Sequence, residues 1–122
     1  MKFYKCDICG KIIAIVKPTA VDTFCCGRPM RELVPGTTDG AAEKHVPVYT
    51  VEGNTVTVKV GFAAHPMQEG HHIEWIAIET ETGNQRKELK SGDKPEATFA
   101  LVPADKVKSV YEYCNLHGLW KG

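Results

Sequence analysis

The sequence predicts an all-β protein in which a small cysteine-rich unit precedes an antiparallel β-sandwich. Three observations support this fold class. Four of the five cysteines cluster between Cys6 and Cys26. Short runs of β-branched and aromatic residues, separated by turns, fill most of the remaining chain. No segment shows the 3.6-residue apolar period of an amphipathic helix.

The domain boundary is predicted from a segment of small and polar residues at 35–42, a composition typical of linkers. We place the two domains at 1–36 and 37–122. The first domain has a single apolar run, at 12–16, and too little apolar surface to offset the conformational entropy lost on folding. We therefore expect a bound metal to stabilise it.

Five segments of the second domain have strand character. The segment at 55–60 alternates apolar and polar residues with a period of two, as a half-buried strand does. Turn sequences separate the segments at Gly53-Asn54, Gly83-Asn84 and Ser91-Gly92-Asp93. This pattern predicts an immunoglobulin-like β-sandwich. The strands are expected at 46–51, 55–62, 73–80, 97–102 and 107–113.

Composition and charge exclude several classes of function. The 122 residues include 15 basic and 15 acidic side chains, so the basic excess of a nucleic-acid-binding protein is absent. The sequence has no apolar leader and no stretch long enough to span a bilayer, so we expect a cytoplasmic protein. Thiols stay reduced in that compartment, and the five cysteines therefore indicate metal binding or catalysis before disulfides.

The first candidate site consists of four cysteines. Cys6-x-x-Cys9-Gly10 has the form of a metal knuckle, in which a tight turn aims two thiolates at one ion. Cys25 and Cys26 supply a second, adjacent pair, which requires a sharp bend if both are to bind. Four thiolates suit either zinc or a single iron, and the ligand types alone do not distinguish a structural zinc ribbon from an iron centre.

The second candidate site combines histidines with the remaining cysteine. Taken singly, each of the five histidines is more often a surface or core residue than a ligand, and Cys114 alone is more often an inert buried thiol. Together they flank predicted strands, where a rigid sandwich commonly presents a site. One thiolate with three or four imidazoles exceeds the four ligands of structural zinc and fits a five-coordinate iron with an open position.

These motifs also carry a family resemblance that extends over essentially the whole chain. The motifs around the histidines are Glu43-Lys44-His45-Val46-Pro47, His65-Pro66-Met67-x-x-x-His71-x-Ile73-x-Trp75 and Cys114-Asn115-x-His117-Gly118. These motifs resemble the iron site of superoxide reductases, and the cysteine quartet resembles the iron centre of desulforedoxins. Both sets in this order resemble the desulfoferrodoxin family, whose members hold two irons.

The resemblance implies a role for each matching residue. Glu43 corresponds to a carboxylate that occupies the sixth iron position in the oxidised state, and Lys44 to a lysine that attracts the substrate and helps to supply protons. The spacing from His65 selects His71 over His72, which we expect to be an outer or surface residue. The implied ligands of the first iron are Cys6, Cys9, Cys25 and Cys26. Those of the second are His45, His65, His71 and His117 in the equatorial plane and Cys114 on the axis.

The implied activity is a one-electron reduction of superoxide to hydrogen peroxide at a non-haem ferrous iron, with electrons from a reduced donor such as rubredoxin. The resemblance also implies a homodimer with a desulforedoxin-like first domain. Independently, neutral imidazoles and one thiolate leave such a site cationic, which favours an anionic substrate. Two alternatives stay open: a rubredoxin-like electron carrier and a zinc-stabilised binding module. Charges such as Glu43 and Lys44 are most often simply solvated.

Overall fold

The computed structural model divides into two compact units, Met1–Val34 and Pro35–Gly122. It describes residues 1–38, 40, 42–61 and 64–122. Within these ranges no helix is long and apolar enough to cross a membrane.

The first unit is built from very short antiparallel strands. Its three-stranded sheet has the order β2-β1-β5, and β3 pairs with β4 in a separate hairpin. The buried core contains little more than Phe3, Met30 and Leu33, whereas Val16 is 100% exposed. So small a core agrees with the expectation that a metal stabilises this unit. The strands are β1 (Lys2–Lys5), β2 (Ile12–Ile15), β3 (Phe24–Cys25), β4 (Arg28–Pro29) and β5 (Arg31–Glu32).

The second unit is a sandwich of two antiparallel sheets, which confirms the predicted fold class. One sheet has three strands in the order β10-β7-β6, and the other has four in the order β12-β11-β8-β9. The strands of the first are β6 (Pro47–Glu52), β7 (Thr55–Val60) and β10 (Glu96–Ala100). Those of the second are β8 (Ile73–Thr80), β9 (Asn84–Glu88), β11 (Val107–Cys114) and β12 (Gly118–Lys121).

The core of the sandwich lies between the inner faces of the two sheets. Alternate residues of β7, namely Val56, Val58 and Val60, are at most 1% exposed, as the period of two predicts. They pack in one cluster with residues of β8, β10 and β11, and Cys114 at the end of β11 belongs to the same cluster. The strand that carries this cysteine is therefore anchored directly in the hydrophobic core.

In the sandwich unit, two strands and one helix were not predicted from the sequence. β9 reads Asn-Gln-Arg-Lys-Glu and has no apolar pattern, as is common for a protective edge strand. β12 is only four residues long and follows the cysteine–histidine motif. The helix α1 (Ala42–His45) is a single turn, which is too short to display an apolar period. The predicted strand at 55–62 ends at Val60, and Phe62 lies outside the described residues.

The segment predicted as a linker is in part hydrogen-bonded to the sandwich. The Gly36 N–H donates to the Leu119 carbonyl at 2.9 Å, and the Thr38 hydroxyl donates to the His117 carbonyl. Asp39 and Ala41, which also fall in this segment, lie outside the described residues. The segment therefore runs along the end of β12, next to the cysteine–histidine motif.

Candidate metal centres

The four cysteines of the first unit converge on one point. Their ligand atoms all lie within 4.8 Å of one another. Cys9 Sγ is 3.7 Å from Cys25 Sγ, which is itself 3.9 Å from Cys26 Sγ. Four sulfurs each about 2.3 Å from a central ion at tetrahedral corners are about 3.8 Å apart. The quartet therefore has the dimensions of a tetrahedral metal site, and all four thiols are free of disulfides.

The backbone provides the bend that adjacent ligands require. Cys26 has a φ of 53° and Gly27 a φ of 74°, so two consecutive residues adopt the left-handed conformation. This reversal turns the two neighbouring thiols toward the same point. Beside the first knuckle, the Arg31 guanidinium donates two hydrogen bonds to Asp7, at 3.0 and 3.1 Å, and joins β5 to the knuckle loop.

The protonation properties of the quartet also favour a cation. The Cys9 N–H, 3.5 Å from Cys6 Sγ, contributes most to lowering the pKa of Cys6 to about 6. Contacts with the neighbouring thiols, that of Cys9 first, instead raise the pKa of Cys26 to about 12. The protein alone thus stabilises the thiolate of Cys6 and opposes those of Cys25 and Cys26, so four thiolates need a metal to balance their charge.

The histidine–cysteine site is assembled from three separate parts of the sandwich unit. α1 ends in His45, the loop between β7 and β8 carries His65 and His71, and β11 ends in Cys114, with His117 just beyond it. Candidate ligand atoms of these five residues all lie within 4.8 Å of one another. The structure therefore brings together all five residues that the sequence analysis selected for this site.

The strand register orients Cys114, and the helical turn α1 orients His45. Tyr113 pairs with Trp75, but Cys114 pairs with Ile73, so Glu74 is an unpaired bulge residue on β8. Such a bulge changes the direction of neighbouring side chains. In α1, the Val46 N–H donates to the Ala42 carbonyl at 2.9 Å and closes the turn. The turn buries His45, which is 3% exposed.

The four imidazoles form a closed ring of near-perpendicular neighbours. Centroids are 4.7 Å apart for His45–His65 and for His45–His117, 4.9 Å for His65–His71 and 5.0 Å for His71–His117. His45 Nε2 lies 3.1 Å from His65 Nε2 and 3.0 Å from His117 Nδ1. Two nitrogens bound at right angles, each about 2.1 Å from one ion, are about 3.0 Å apart. The two measured distances are therefore those of neighbouring nitrogens in a square around one metal ion.

Hydrogen bonding selects which nitrogen of a ring faces the centre. His65 Nδ1 lies 2.7 Å from the Pro66 carbonyl, so Nδ1 carries the proton. The unprotonated Nε2 is then the atom available to bind a metal. His71 Nε2 is buried and has no hydrogen-bond partner among the described residues. Burial lowers the pKa of His65 to about 4 and also lowers that of His71. Both rings are thus held neutral, as metal ligation requires.

Cys114 provides a single sulfur beside the four imidazoles. Its Sγ lies 3.8 Å from His117 Nδ1, and the residue is 0% exposed. Burial raises the pKa of this thiol, so a thiolate here needs a neighbouring positive charge. Two residues earlier, the carboxyl of Glu112 is fully buried without a hydrogen-bond partner among the described residues, and burial raises its pKa to about 9.

The remaining candidates lie outside the five-residue cluster. Glu43 and Lys44 are exposed on α1, directly before His45. After burial and the nearby histidines, the charge of Lys44 contributes to the lowered pKa of His71, so its field reaches the site. His72 is not in the cluster, and its Nδ1 lies 3.1 Å from the Gln68 carbonyl. His71 is therefore the member of this pair that lies in the cluster, as the family resemblance implied.

Two residues without a role in the sequence analysis also shape the site. The Trp120 indole donates to the His117 carbonyl at 3.0 Å. A Cβ on Gly40 would come within 3.3 Å of both His117 and His45, so a side chain there would crowd the two rings. Because neither residue belongs to a ligand motif and Trp120 lies in a strand that the pattern missed, only their contacts reveal them.

Comparison with known proteins identifies the family. The Desulfoferrodoxin family model matches residues 37–122, and the model of the desulfoferrodoxin N-terminal domain matches residues 1–33. The chain belongs to the desulfoferrodoxin family. It is 49% identical over 121 residues to a desulfoferrodoxin homolog of Archaeoglobus fulgidus, covering 99% of this chain and 95% of the relative. Its two groups of metal-binding residues, one of four cysteines and one of four histidines and a cysteine, match the two iron sites of desulfoferrodoxins.

Solved structures support the same assignment for this desulfoferrodoxin-family chain. The superoxide reductase of Treponema pallidum is 41% identical, with a TM-score of 0.85, and the match covers 99% of this chain and 97% of that one. A superoxide reductase described as 1Fe-SOR, from Giardia intestinalis, is 34% identical with a TM-score of 0.56. That match covers 66% of this chain but 95% of the Giardia protein.

Proposed function

We propose that the chain is a superoxide reductase that acts at its histidine–cysteine iron. The observation that carries this proposal is the closed ring of four imidazoles with one cysteine sulfur beside it. Five protein donors leave one position of a six-coordinate iron for a small ligand. The similarity to superoxide reductases of known structure supports the same activity.

The reaction consumes one electron and two protons for each superoxide and yields hydrogen peroxide. Ferrous iron, when bound, supplies that electron. Burial holds His65 and His71 neutral, and an imidazole ligand carries no negative charge, so Cys114 is the only ligand among the five that cancels metal charge. A net positive charge remains in a site whose walls are buried, and this favours the approach of an anion.

The exposed residues of α1 are proposed to serve the open side of this iron. Lys44 adds a positive charge whose field reaches His71, which supports a role in attracting superoxide and in supplying protons. We assign Glu43 to the sixth position in the oxidised state, by its place directly before Lys44 and His45 in the family motif. Both side chains are exposed, so they are free to approach and leave the site.

The partners and context are proposed on the same basis. A rubredoxin-like protein would return the iron to the ferrous state, and the chain would act as a cytoplasmic homodimer. We propose residues 1–36 and 37–122 as its domains, with the four-cysteine iron in the first. No contact with nucleic acid or membrane is needed for this function.

The proposal is tested by pulse radiolysis of the fully reduced, iron-loaded protein. We expect rapid second-order oxidation by superoxide, one hydrogen peroxide for each iron oxidised, and no release of dioxygen. Cys114→Ser is the matched control, because it removes a ligand of this iron and leaves the four-cysteine site intact. Release of dioxygen would instead indicate dismutation. An inert ferrous site would indicate an electron carrier, and a colourless zinc-loaded protein would indicate a binding module.

A further inference from the structure

Asn115 lies between two of the ligand-bearing segments and bonds to both sides of His71. Its carboxamide oxygen accepts the His72 N–H at 2.9 Å. Its carboxamide nitrogen donates to the Gly70 carbonyl at 3.0 Å. In addition, the Asn115 backbone N–H donates to the His72 carbonyl at 3.2 Å. One residue thus makes three hydrogen bonds to the two neighbours of a metal ligand.

These bonds extend the ladder between β8 and β11 beyond its last regular pair, Cys114 with Ile73. Past that pair the Asn115 side chain replaces the backbone, with an oxygen and an N–H in the arrangement of a peptide group. Its partners, an N–H and a carbonyl, fix which end of the carboxamide points where. Aspartate would lack the donor for Gly70, and alanine would lack both groups.

The opposite edge of His71 is held by a different residue. The His71 N–H donates to the Gln68 carbonyl at 3.1 Å, and the Gln68 N–H donates to the His71 carbonyl at 2.9 Å. Successive residues of an extended chain point their backbone groups to opposite sides. The peptide groups of His71 are therefore fixed by Gln68 on one side, and those of Gly70 and His72 by Asn115 on the other.

We propose that Asn115 is a positioning residue that fixes the loop carrying His71 against the segment carrying Cys114 and His117. It directly follows Cys114 and precedes His117 by two residues. Its carboxamide therefore sets the separation between His71 and these two ligands. The inference rests on the iron site of the proposed function, and it does not depend on which substrate reacts there.

The experiment measures iron retention in the full-length, iron-loaded protein. A ferrous chelator is added to the reduced protein, samples are reoxidised at intervals, and each remaining iron is measured by its own ferric absorption, with the four-cysteine iron as an internal reference. Partners that orient metal ligands typically contribute tenfold to a hundredfold to metal affinity. We expect Asn115→Ala to lose the histidine–cysteine iron about tenfold to a hundredfold faster and to shift its thiolate charge-transfer band, with the four-cysteine iron unaffected. Asn115→Asp, which keeps one of the two side-chain bonds, should be intermediate.

Asn84→Ala is the matched control, since Asn84 is an exposed residue of the same type on β9. Retention in Asn115→Ala equal to that in Asn84→Ala would overturn the proposal. The proposal would also be overturned if Asn115→Ala lost both irons faster by the same factor, with a lower unfolding temperature and an unchanged thiolate charge-transfer band. That result would show a general structural role for Asn115. If the alanine variant does not fold, the aspartate variant is judged by the same criteria. A wild-type protein that retains its iron but does not react with superoxide would refute the proposed function alone.

Discussion

The indole of Trp120 stacks on the imidazole of His45, with ring centroids 5.0 Å apart and ring planes inclined by 27°. The same indole donates its N–H to the His117 carbonyl. The Trp120 side chain therefore contacts two ligands: its ring face packs on the His45 imidazole, and its N–H holds the backbone of His117. Stacking restricts the rotation of His45, and the hydrogen bond holds the loop that follows Cys114.

Replacement of Trp120 should separate these two contributions. Trp120→Phe keeps an aromatic ring but loses a hydrogen bond with a net value of about 1 kcal/mol, so we expect roughly fivefold faster loss of the histidine–cysteine iron to a chelator. Trp120→Leu also loses the stacking and should release iron faster still. Trp75→Phe is the control, since Trp75 is similarly buried but stacks on Tyr113. Equal effects at Trp75 and Trp120 would argue for general packing.

Lys44→Ala should slow the reaction with superoxide. Loss of one positive charge close to the path of an anion reduces the association rate by roughly twofold to fivefold at low ionic strength. Because salt screens this attraction, the rate of the variant should also vary less with ionic strength. Pulse radiolysis at several salt concentrations measures both effects, with Lys59→Ala on β7 as the control. A low-salt rate equal to wild type would exclude this role for Lys44.

Glu43→Ala should change the oxidised iron and spare the reduced one. If the carboxylate binds the ferric state, its removal shifts the visible absorption of the oxidised site, while the second-order reaction of the ferrous protein stays within about twofold. The comparison variant is Glu52→Ala, an exposed glutamate at the end of β6. An oxidised spectrum identical to wild type would show that Glu43 does not bind the metal.

Cys9→Ser should abolish the four-cysteine iron and leave the second centre functional. The sandwich unit has its own hydrophobic core and contains every ligand of the histidine–cysteine site. The one-iron relative, whose match covers 66% of this chain, supports the same expectation. We therefore expect a normal charge-transfer band and a superoxide rate within about twofold of wild type. A large fall in that rate with the second iron still bound would instead favour electron relay through the first.

Glu112→Gln should remove a pH dependence of stability. Burial raises the pKa of this carboxyl from 4.5 to about 9, so between these values the folded protein keeps a proton that the unfolded chain has released. The contribution of the protonated group to stability is complete below pH 4.5 and declines as the pH rises toward 9. The upper limit of this slope is about 1.4 kcal/mol per pH unit.

Glutamine cannot ionise and has nearly the same shape as glutamate. The free energy of unfolding of Glu112→Gln relative to that of wild type should therefore increase from pH 6 to pH 8.5. Denaturant unfolding of the iron-loaded proteins at several pH values measures this difference, and Glu88→Gln on exposed β9 is the control. A difference between Glu112→Gln and wild type that is constant with pH would mean that Glu112 does not remain protonated in the fold.

Local patterns were sufficient for most of the sandwich. The strand at 73–80 was predicted with its observed bounds, because β-branched and apolar residues fill it and turn sequences flank it. β9 was missed because an exposed edge strand needs no apolar face. The helix α1 was missed because one turn gains its stability from surrounding contacts and leaves no period in the sequence.

The sequence by itself determined the donor set. Cysteine and histidine are the side chains that supply soft and borderline metal ligands, and their positions separated the quartet from the histidine–cysteine group. The family resemblance of the motifs then selected His71 over His72. Only the tertiary structure decided how the ligands are held. The closed ring of imidazoles, the indole of Trp120 on His45 and the carboxamide of Asn115 all depend on contacts between segments distant in sequence. Such contacts are fixed by packing and strand register, and no local pattern encodes them.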